Sequence, residues 1–270
     1  MKKGRKPSRP RKNVKYQSPN PKEAVQAAES VSRLNKFIAN SGLCSRREAD
    51  EIIKTGQIKV NGKVVTAMGI KVGPGDVIVH NGKKLSGERK VYLLLNKPKD
   101  FITTVTDTHG RKTVMDLVGK ACKERIYPVG RLDRNTTGLL LFTNDGDLAK
   151  KMTHPSYGVK KVYHVQLDKK FGEQEMEKVK KGLMLEDGKA LVDVISYIGL
   201  GENKKEVGVE LHSGKNRIIR RIFEHLGYEV LRLDRILYAG LTKKDLPRGR
   251  WRLLNMKEAG MLMMLANKRT

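Results

Sequence analysis

Asp133 stands between two arginines in Gly130-Arg131-Leu132-Asp133-Arg134-Asn135-Thr136-Thr137, and the apolar run Gly138 to Phe142 follows at once. A carboxylate at the edge of a core, in a positive field and backed by a buried strand, suits nucleophilic or general-base chemistry. The cations favour its ionised form and the strand holds it still. On residue type alone the same loop is a turn, since Asp, Asn, Thr and Gly are common turn residues. A second cluster lies downstream in Ser213-Gly214-Lys215-Asn216-Arg217-Ile218-Ile219-Arg220-Arg221-Ile222-Phe223. The pattern predicts a helix over 217–226 with Arg217, Arg220 and Arg221 on one face at i, i+3 and i+4. Ile218, Ile219, Ile222, Phe223 and Leu226 take the other face and anchor it in a core. Such a face either supplies Asp133 with a counter-charge or is an ordinary solvated surface.

Charge bounds the partners. Lys and Arg number 56 against 29 Asp and Glu, a net +27 over 270 residues, which points to a polyanion and above all to nucleic acid. An anionic membrane surface would need a basic amphipathic helix with large apolar residues, and the N-terminal segment has none. No apolar run reaches transmembrane length, and no apolar stretch follows the N-terminal charges as a secretory signal would. Cys44 and Cys122 lie far apart without a CxxC pattern and read as free thiols of a reducing, cytoplasmic compartment. The six histidines are scattered, so no metal site is expected.

The elements fall into segments. Residues 1–31 form a tail in which positions 1–15 carry eight basic side chains and no acid; too little apolar surface is present to offset ordering, which predicts disorder. Residues 32–88 make a compact unit. Ser32 is read as the N-cap of a helix carrying Leu34, Phe37 and Ile38 on one face, and Gly42 ends it. Ser45 with Glu48 is a capping box for a second helix that stops at Gly56, and short strands follow, joined by an Asn61-Gly62 hairpin. Residues 89–254 alternate longer strands and helices: strands at 91–95, 137–143, 161–167 and 207–211, helices at 173–181 and 217–226. This predicts an α+β domain around a mixed, mostly antiparallel sheet. Residues 255–270 read as a Met- and Leu-rich helix packed on that domain.

The loop string Gly130-Arg131-Leu132-Asp133-x-x-Thr136-x-Gly138-Leu139-Leu140, with Asp145-Gly146-Asp147-Leu148-Ala149 after it, resembles the catalytic loop of RNA pseudouridine synthases. The branch it matches is the RsuA/RluB/RluE/RluF family. Arg33-Leu34-Asn35-Lys36, Ser45-Arg46-Arg47-Glu48-Ala49, Gly56-x-Ile58-x-Val60-Asn61-Gly62 and Pro74-Gly75-Asp76 resemble the S4 RNA-binding domain. Together the resemblances cover residues from about 32 to 254. They imply a small S4 domain followed by a pseudouridine synthase fold and an isomerase acting on ribosomal RNA without cofactor or metal, as a monomer.

The same resemblance implies Asp133 as the essential residue, Arg220 as its ion-pair partner and Tyr163 as the active-site tyrosine, stacking on the flipped base and available to accept a proton. Read without it, Tyr163 is a core residue of an alternating strand. RNA contacts are expected from Arg33, Lys36, Arg46, Arg47, Arg131, Lys160, Lys161, Lys215, Arg217 and Arg221. Within the branch, Met152-x-His154-Pro155-Ser156, Leu185-Glu186-Asp187-Gly188 and Leu246-Pro247-x-Gly249-x-Trp251 look closest to the RluB type, which modifies large-subunit (23S) rRNA. The alternatives are a small-subunit (16S) enzyme and a non-catalytic S4-type RNA- or ribosome-binding factor. Loss of Asp133, Tyr163 or Arg220 would have favoured the last of these, and all three are present.

Overall fold

The computed structural model describes residues 31–267, so the predicted basic tail lies, but for Val31, outside the described residues. Leu34 and Ile38 are buried on one face of helix α1 (Leu34–Asn40) as the spacing predicts. Its start differs from the expectation. Ser32 and Arg33 pair antiparallel with Val72 and Lys71, so extended Arg33 takes the N-cap position with no side-chain cap bond, and Ser32 is spent on the pairing. Helix α2 (Arg46–Lys54) carries the predicted capping box: the Ser45 hydroxyl accepts from the Glu48 N–H, and the Glu48 carboxylate accepts from the Ser45 N–H. Strands β1 (Ile58–Val60), β2 (Lys63–Val65) and β3 (Ile78–His80) close a small sheet. Its turn at Asn61-Gly62 has positive φ at both residues, as a tight hairpin requires. Leu34, Ile38, Ala49, Ile53, Ile58, Val72 and Ile78 form a core of this unit's own.

The larger unit is a twisted sheet covered on both sides. Its main strands are β4 (Tyr92–Lys97), β5 (Thr136–Thr143), β6 (Lys161–Leu167), β7 (Val194–Tyr197), β8 (Glu206–Leu211), β9 (Val230–Tyr238) and β10 (Trp251–Leu253). Their order is β7-β8-β6-β9-β5-β4-β10, and every adjacent pair is antiparallel except β9 with β5. Side chains alternate along β4 and β5. Leu93, Leu95, Leu140 and Phe142 meet helices α4 (Glu173–Lys181) and α5 (Ile218–His225), while Tyr92, Leu94, Leu139 and Leu141 meet α3 (Gly146–Thr153) and α6 (Met256–Asn267). Burial on both faces is why these strands read as unbroken apolar runs rather than as alternation.

Two features fix the Asp133 loop to this sheet. The first is Gly138, at φ +106°, where β5 runs parallel to β9. A Cβ there would sit 2.2 Å from the Arg235 carbonyl oxygen and 2.6 Å from its nitrogen, so only glycine lets the two backbones approach. The second is Lys97, at the end of β4, which has no solvent exposure. Its Nζ donates to the carbonyls of Thr136 (2.8 Å), Pro98 (3.0 Å) and Arg134 (3.3 Å). The Asp100 N–H shares the Arg134 carbonyl, and the Thr103 hydroxyl donates to the Leu132 carbonyl. The loop's backbone is thus bound from below at 132, 134 and 136.

The two units meet through Lys36 and Asp147, 2.6 Å apart, and through Arg125 and Glu48, 4.0 Å apart. Among the described residues no helix is long and apolar enough to cross a membrane.

Both braces are testable by unfolding. Gly138→Ala forces a methyl into the β9 backbone at a left-handed φ, and urea titration should show a loss of about 3 kcal/mol or more. A loss below about 1 kcal/mol would mean the strand pair tolerates separation. Burial lowers the Lys97 ammonium to about 8 from an ordinary 10.5, with Asp133 and Asp100 opposing. The folded chain therefore releases this proton before the unfolded chain does, so stability rises with pH between those two values. Wild type should gain on Lys97→Met from pH 8 to pH 10, and equal pH slopes would remove Lys97 from the account.

Candidate active site

A cavity of about 330 Å³ opens where the 130–133 loop, the strands β6 and β9 and the segment 213–219 converge. Asp133, Arg131, Lys161, Tyr163, Lys215, Arg217, Arg235 and Tyr238 all contribute to its wall. Alternation on β6 turns Lys161 and Tyr163 to one side, and Tyr163 stands opposite Arg235 of β9 in register. Tyr163 is buried, at 9% exposure, whereas the Asp133 side chain is 40% exposed. The acid therefore sits nearer the mouth, with an aromatic wall deeper in.

The arginine cluster departs from the predicted single face. The helix begins at Ile218, and Arg217 is its N-cap in a left-handed conformation (φ +47°), which takes its side chain off the helical projection. The Arg217 guanidinium lies 3.8 Å from the Asp133 carboxylate and 3.4 Å from that of Glu224. Arg220, the expected partner of Asp133, is instead buried in the face that carries Ile219, Ile222 and Phe223, and its Nη1 donates to the Val230 carbonyl at 2.9 Å. No ion pair joins it to Asp133 among the described residues. It nevertheless stands within the carboxylate's field, with a buried Nε that has no hydrogen-bond partner. Burial first and repulsion from Arg217 second lower the affinity of the Arg220 guanidinium for its proton, while Asp133 and Glu224 raise it.

Several residues expected to meet RNA are held by the protein itself. Arg221 pairs with Asp187 at 2.9 Å and donates to the Asn216 carbonyl, so it ties the 213–217 segment to the Leu183–Ala190 hairpin. Lys215 donates to the Asp187 and Lys189 carbonyls of the same hairpin, and Lys160 pairs with Glu210 at 2.6 Å. The Lys161 ammonium donates to the carbonyls of His212 and Ser213. These groups shape the rim. Arg131 is exposed and ion-paired to nothing among the described residues.

Arg33, Lys36, Arg46 and Arg47 lie elsewhere, along a groove between the two units that also draws on Arg125, Lys150 and Tyr127. Lys36 is engaged with Asp147 there, and Glu48 approaches Arg125 at 4.0 Å. The sequence reading named neither Lys97 nor Arg235. Lys97 could have been found as a lysine continuing an apolar run, whereas a lone arginine in Leu233-Asp234-Arg235-Ile236 carries no comparable signal.

The arrangement sets the Asp133 carboxylate near the mouth of a cavity whose inner wall carries Tyr163 and Arg235. Comparison with known proteins bears on the same point. The family model described as RNA pseudouridylate synthase matches residues 91–225, and the S4 domain model matches residues 32–78. The Bacillus subtilis protein named ribosomal large subunit pseudouridine synthase B is 43% identical over 88% of this chain and 98% of its own length. An uncharacterized RNA pseudouridine synthase of Aquifex aeolicus is 39% identical over 85% and 93%. The crystal structure of a pseudouridylate synthase superposes with a TM-score of 0.59 at 26% identity, covering 85% of this chain and 99% of that one. An S4 unit, a sheet whose one parallel junction carries an aspartate loop, and likeness along most of the chain lead to one assignment: the chain belongs to the RNA pseudouridine synthase family and is an isomerase that makes pseudouridine.

Proposed function

We propose that the chain isomerises a uridine of large-subunit (23S) ribosomal RNA, with Asp133 carrying the chemistry, in the cytoplasm and as a monomer. The observation that carries this reading is the 43% identity to the Bacillus subtilis large-subunit enzyme across nearly that protein's whole length. The Xylella fastidiosa protein of the same name is 38% identical over 84% of this chain, which spans about half of that longer relative.

The reaction breaks the uracil N1–C1′ bond, turns the base, and joins C1′ to C5, with loss of the C5 proton and gain of one at N1. A base inside a helix is out of reach, so the nucleotide must be flipped into the cavity. Asp133, as nucleophile or base, faces the sugar from the mouth. Tyr163, on the buried wall beyond it, packs on the base and is placed to accept the C5 proton. Arg220, fixed in the core by Val230, supplies a counter-charge that cannot move away. Arg217, more exposed and also held by Glu224, is the group displaced toward RNA phosphate when substrate enters. The S4 unit, over 32–88, adds the groove arginines Arg33, Arg46 and Arg47 as phosphate contacts, beside the catalytic domain at 89–254.

Deleting the gene and mapping pseudouridine in both ribosomal RNAs tests the substrate; one site missing from the large-subunit RNA is expected, and a site missing only from the small-subunit RNA would refute it. Asp133→Asn should abolish turnover while RNA affinity stays within about threefold, because the amide keeps the shape without the charge. Arg220→Met should lower the single-turnover rate about 100-fold or more with little change in affinity, as loss of a fixed electrostatic group does. Arg217→Met should chiefly loosen RNA; the reverse pattern would make Arg217 the working counter-charge. Deleting residues 1–86 should weaken rRNA binding and make its salt dependence shallower, since fewer phosphates are neutralised. An unchanged slope would mean the S4 unit does not grip the backbone.

A further inference from the structure

Arg235 is a buried charged side chain of the cavity wall that the proposed mechanism leaves unused. It is 3% exposed, on β9, opposite Tyr163. Its Nε donates to the Leu139 carbonyl at 2.8 Å, and its guanidinium carbon lies 4.4 Å from the centre of the Tyr238 ring. Its Nη2 is buried with no hydrogen-bond partner, and no carboxylate pairs with it among the described residues. A buried cation without an acid costs several kcal/mol, which protein interiors avoid unless something else compensates. The neighbouring group makes matters worse rather than better: Lys161, on the same wall, is pushed down to about 8 by burial first and by Arg235 second. The inner wall of the cavity is therefore a preformed site for negative charge.

Depth decides which negative charge. Arg131 and Asp133 are the more exposed residues of the cavity lining, whereas Tyr163 and Arg235 are buried on its inner wall, a depth that suits a flat base rather than a phosphate held on its strand. We propose that Arg235 is a catalytic residue of the isomerisation: its unpartnered guanidinium N–H donates to a uracil carbonyl oxygen and stabilises the uracil anion released at glycosidic cleavage. When N1–C1′ breaks, the bonding pair departs with the base and spreads over its carbonyl oxygens. The same pair returns when C1′ joins C5. The donor is already in place and needs no reorganisation, which is what makes a fixed buried donor effective. Stacking of the planar guanidinium on Tyr238 holds it in place. This rests on the reading that the cavity beside Asp133 takes the uridine.

The test uses the full chain and large-subunit rRNA transcripts made with uridine or with 5-fluorouridine, whose fluorine itself stabilises the departing anion. Single-turnover loss of the nucleoside, read by mass spectrometry after digestion, should be about 100-fold slower in Arg235→Gln with uridine. With 5-fluorouridine the gap to wild type should shrink to about 10-fold or less, while Asp133→Asn stays inactive on both. An equal gap on both substrates would show that Arg235 only supports the sheet, and overturn the proposal. Activity in Asp133→Asn would instead overturn the site on which it rests. Should Arg235→Gln fail to fold, a crystal structure of the unaltered chain on 5-fluorouridine RNA decides. An Arg235 nitrogen within about 3.5 Å of a uracil oxygen supports the proposal, and contacts to Leu139 and Tyr238 alone sink it.

Discussion

The parallel contact of Thr136–Gly138 with Leu233–Arg235 is the constraint on which the active site depends. Elsewhere the sheet is antiparallel, and an antiparallel neighbour to β5 would reverse the direction of β9 and carry Arg235 away from Tyr163. The parallel junction sets the start of β5, and hence the Asp133 loop, beside the strand that forms the cavity's inner wall. Gly138 makes the contact close enough to hold, because any Cβ there meets backbone rather than a side chain that could turn aside. Ligands commonly bind where strand order or direction changes in a sheet, since loops leave in different directions there and open a crevice.

Around that junction the chain uses buried cations as structural donors. Lys97 gathers three carbonyls under the Asp133 loop, Arg220 joins the Val230 carbonyl, and Arg235 joins the Leu139 carbonyl. A positive group bound to neutral carbonyls keeps its full charge, whereas one paired to a carboxylate largely cancels it. Asp133 thus sits in a field built from charges that the fold cannot neutralise by rotating a side chain. The carboxylates that could do so are occupied: Asp234 holds Lys243, Arg248 and Thr137, and Asp187 holds Arg221.

Much of this was legible in the sequence, and the rest was hidden for reasons that can be named. The capping box at Ser45–Glu48, the alternation of Lys161–Leu167 and the apolar run after Gly138 are local signals, and each structure follows them. Strand β9, the longest in the sheet, went unread because Arg232, Asp234 and Arg235 interrupt its apolar pattern. Asp234 and Arg235 find partners in Thr137 and Leu139, 97 and 96 residues away, and no local window contains those. Projection onto a helical wheel misplaced Arg217 for a different reason. It treated the residue as helical, and one left-handed φ at the N-cap swings the side chain toward Asp133 instead of along the helix.

That one residue also separates two uses of arginine at the site. Arg217 sits in a conformation that costs a non-glycine residue of order 1 kcal/mol, and it divides its charge between Asp133 and Glu224 at distances longer than a good hydrogen bond. Arg220 and Arg235 have no comparable freedom, because each is buried, tied to a main-chain carbonyl, and left with a nitrogen that has no hydrogen-bond partner among the described residues. Attraction of a polyanion to a chain of net charge +27 needs no special geometry, but the unsatisfied nitrogen of Arg235 belongs to a residue that lines the cavity, so a polar group gains from it only by reaching the inner wall.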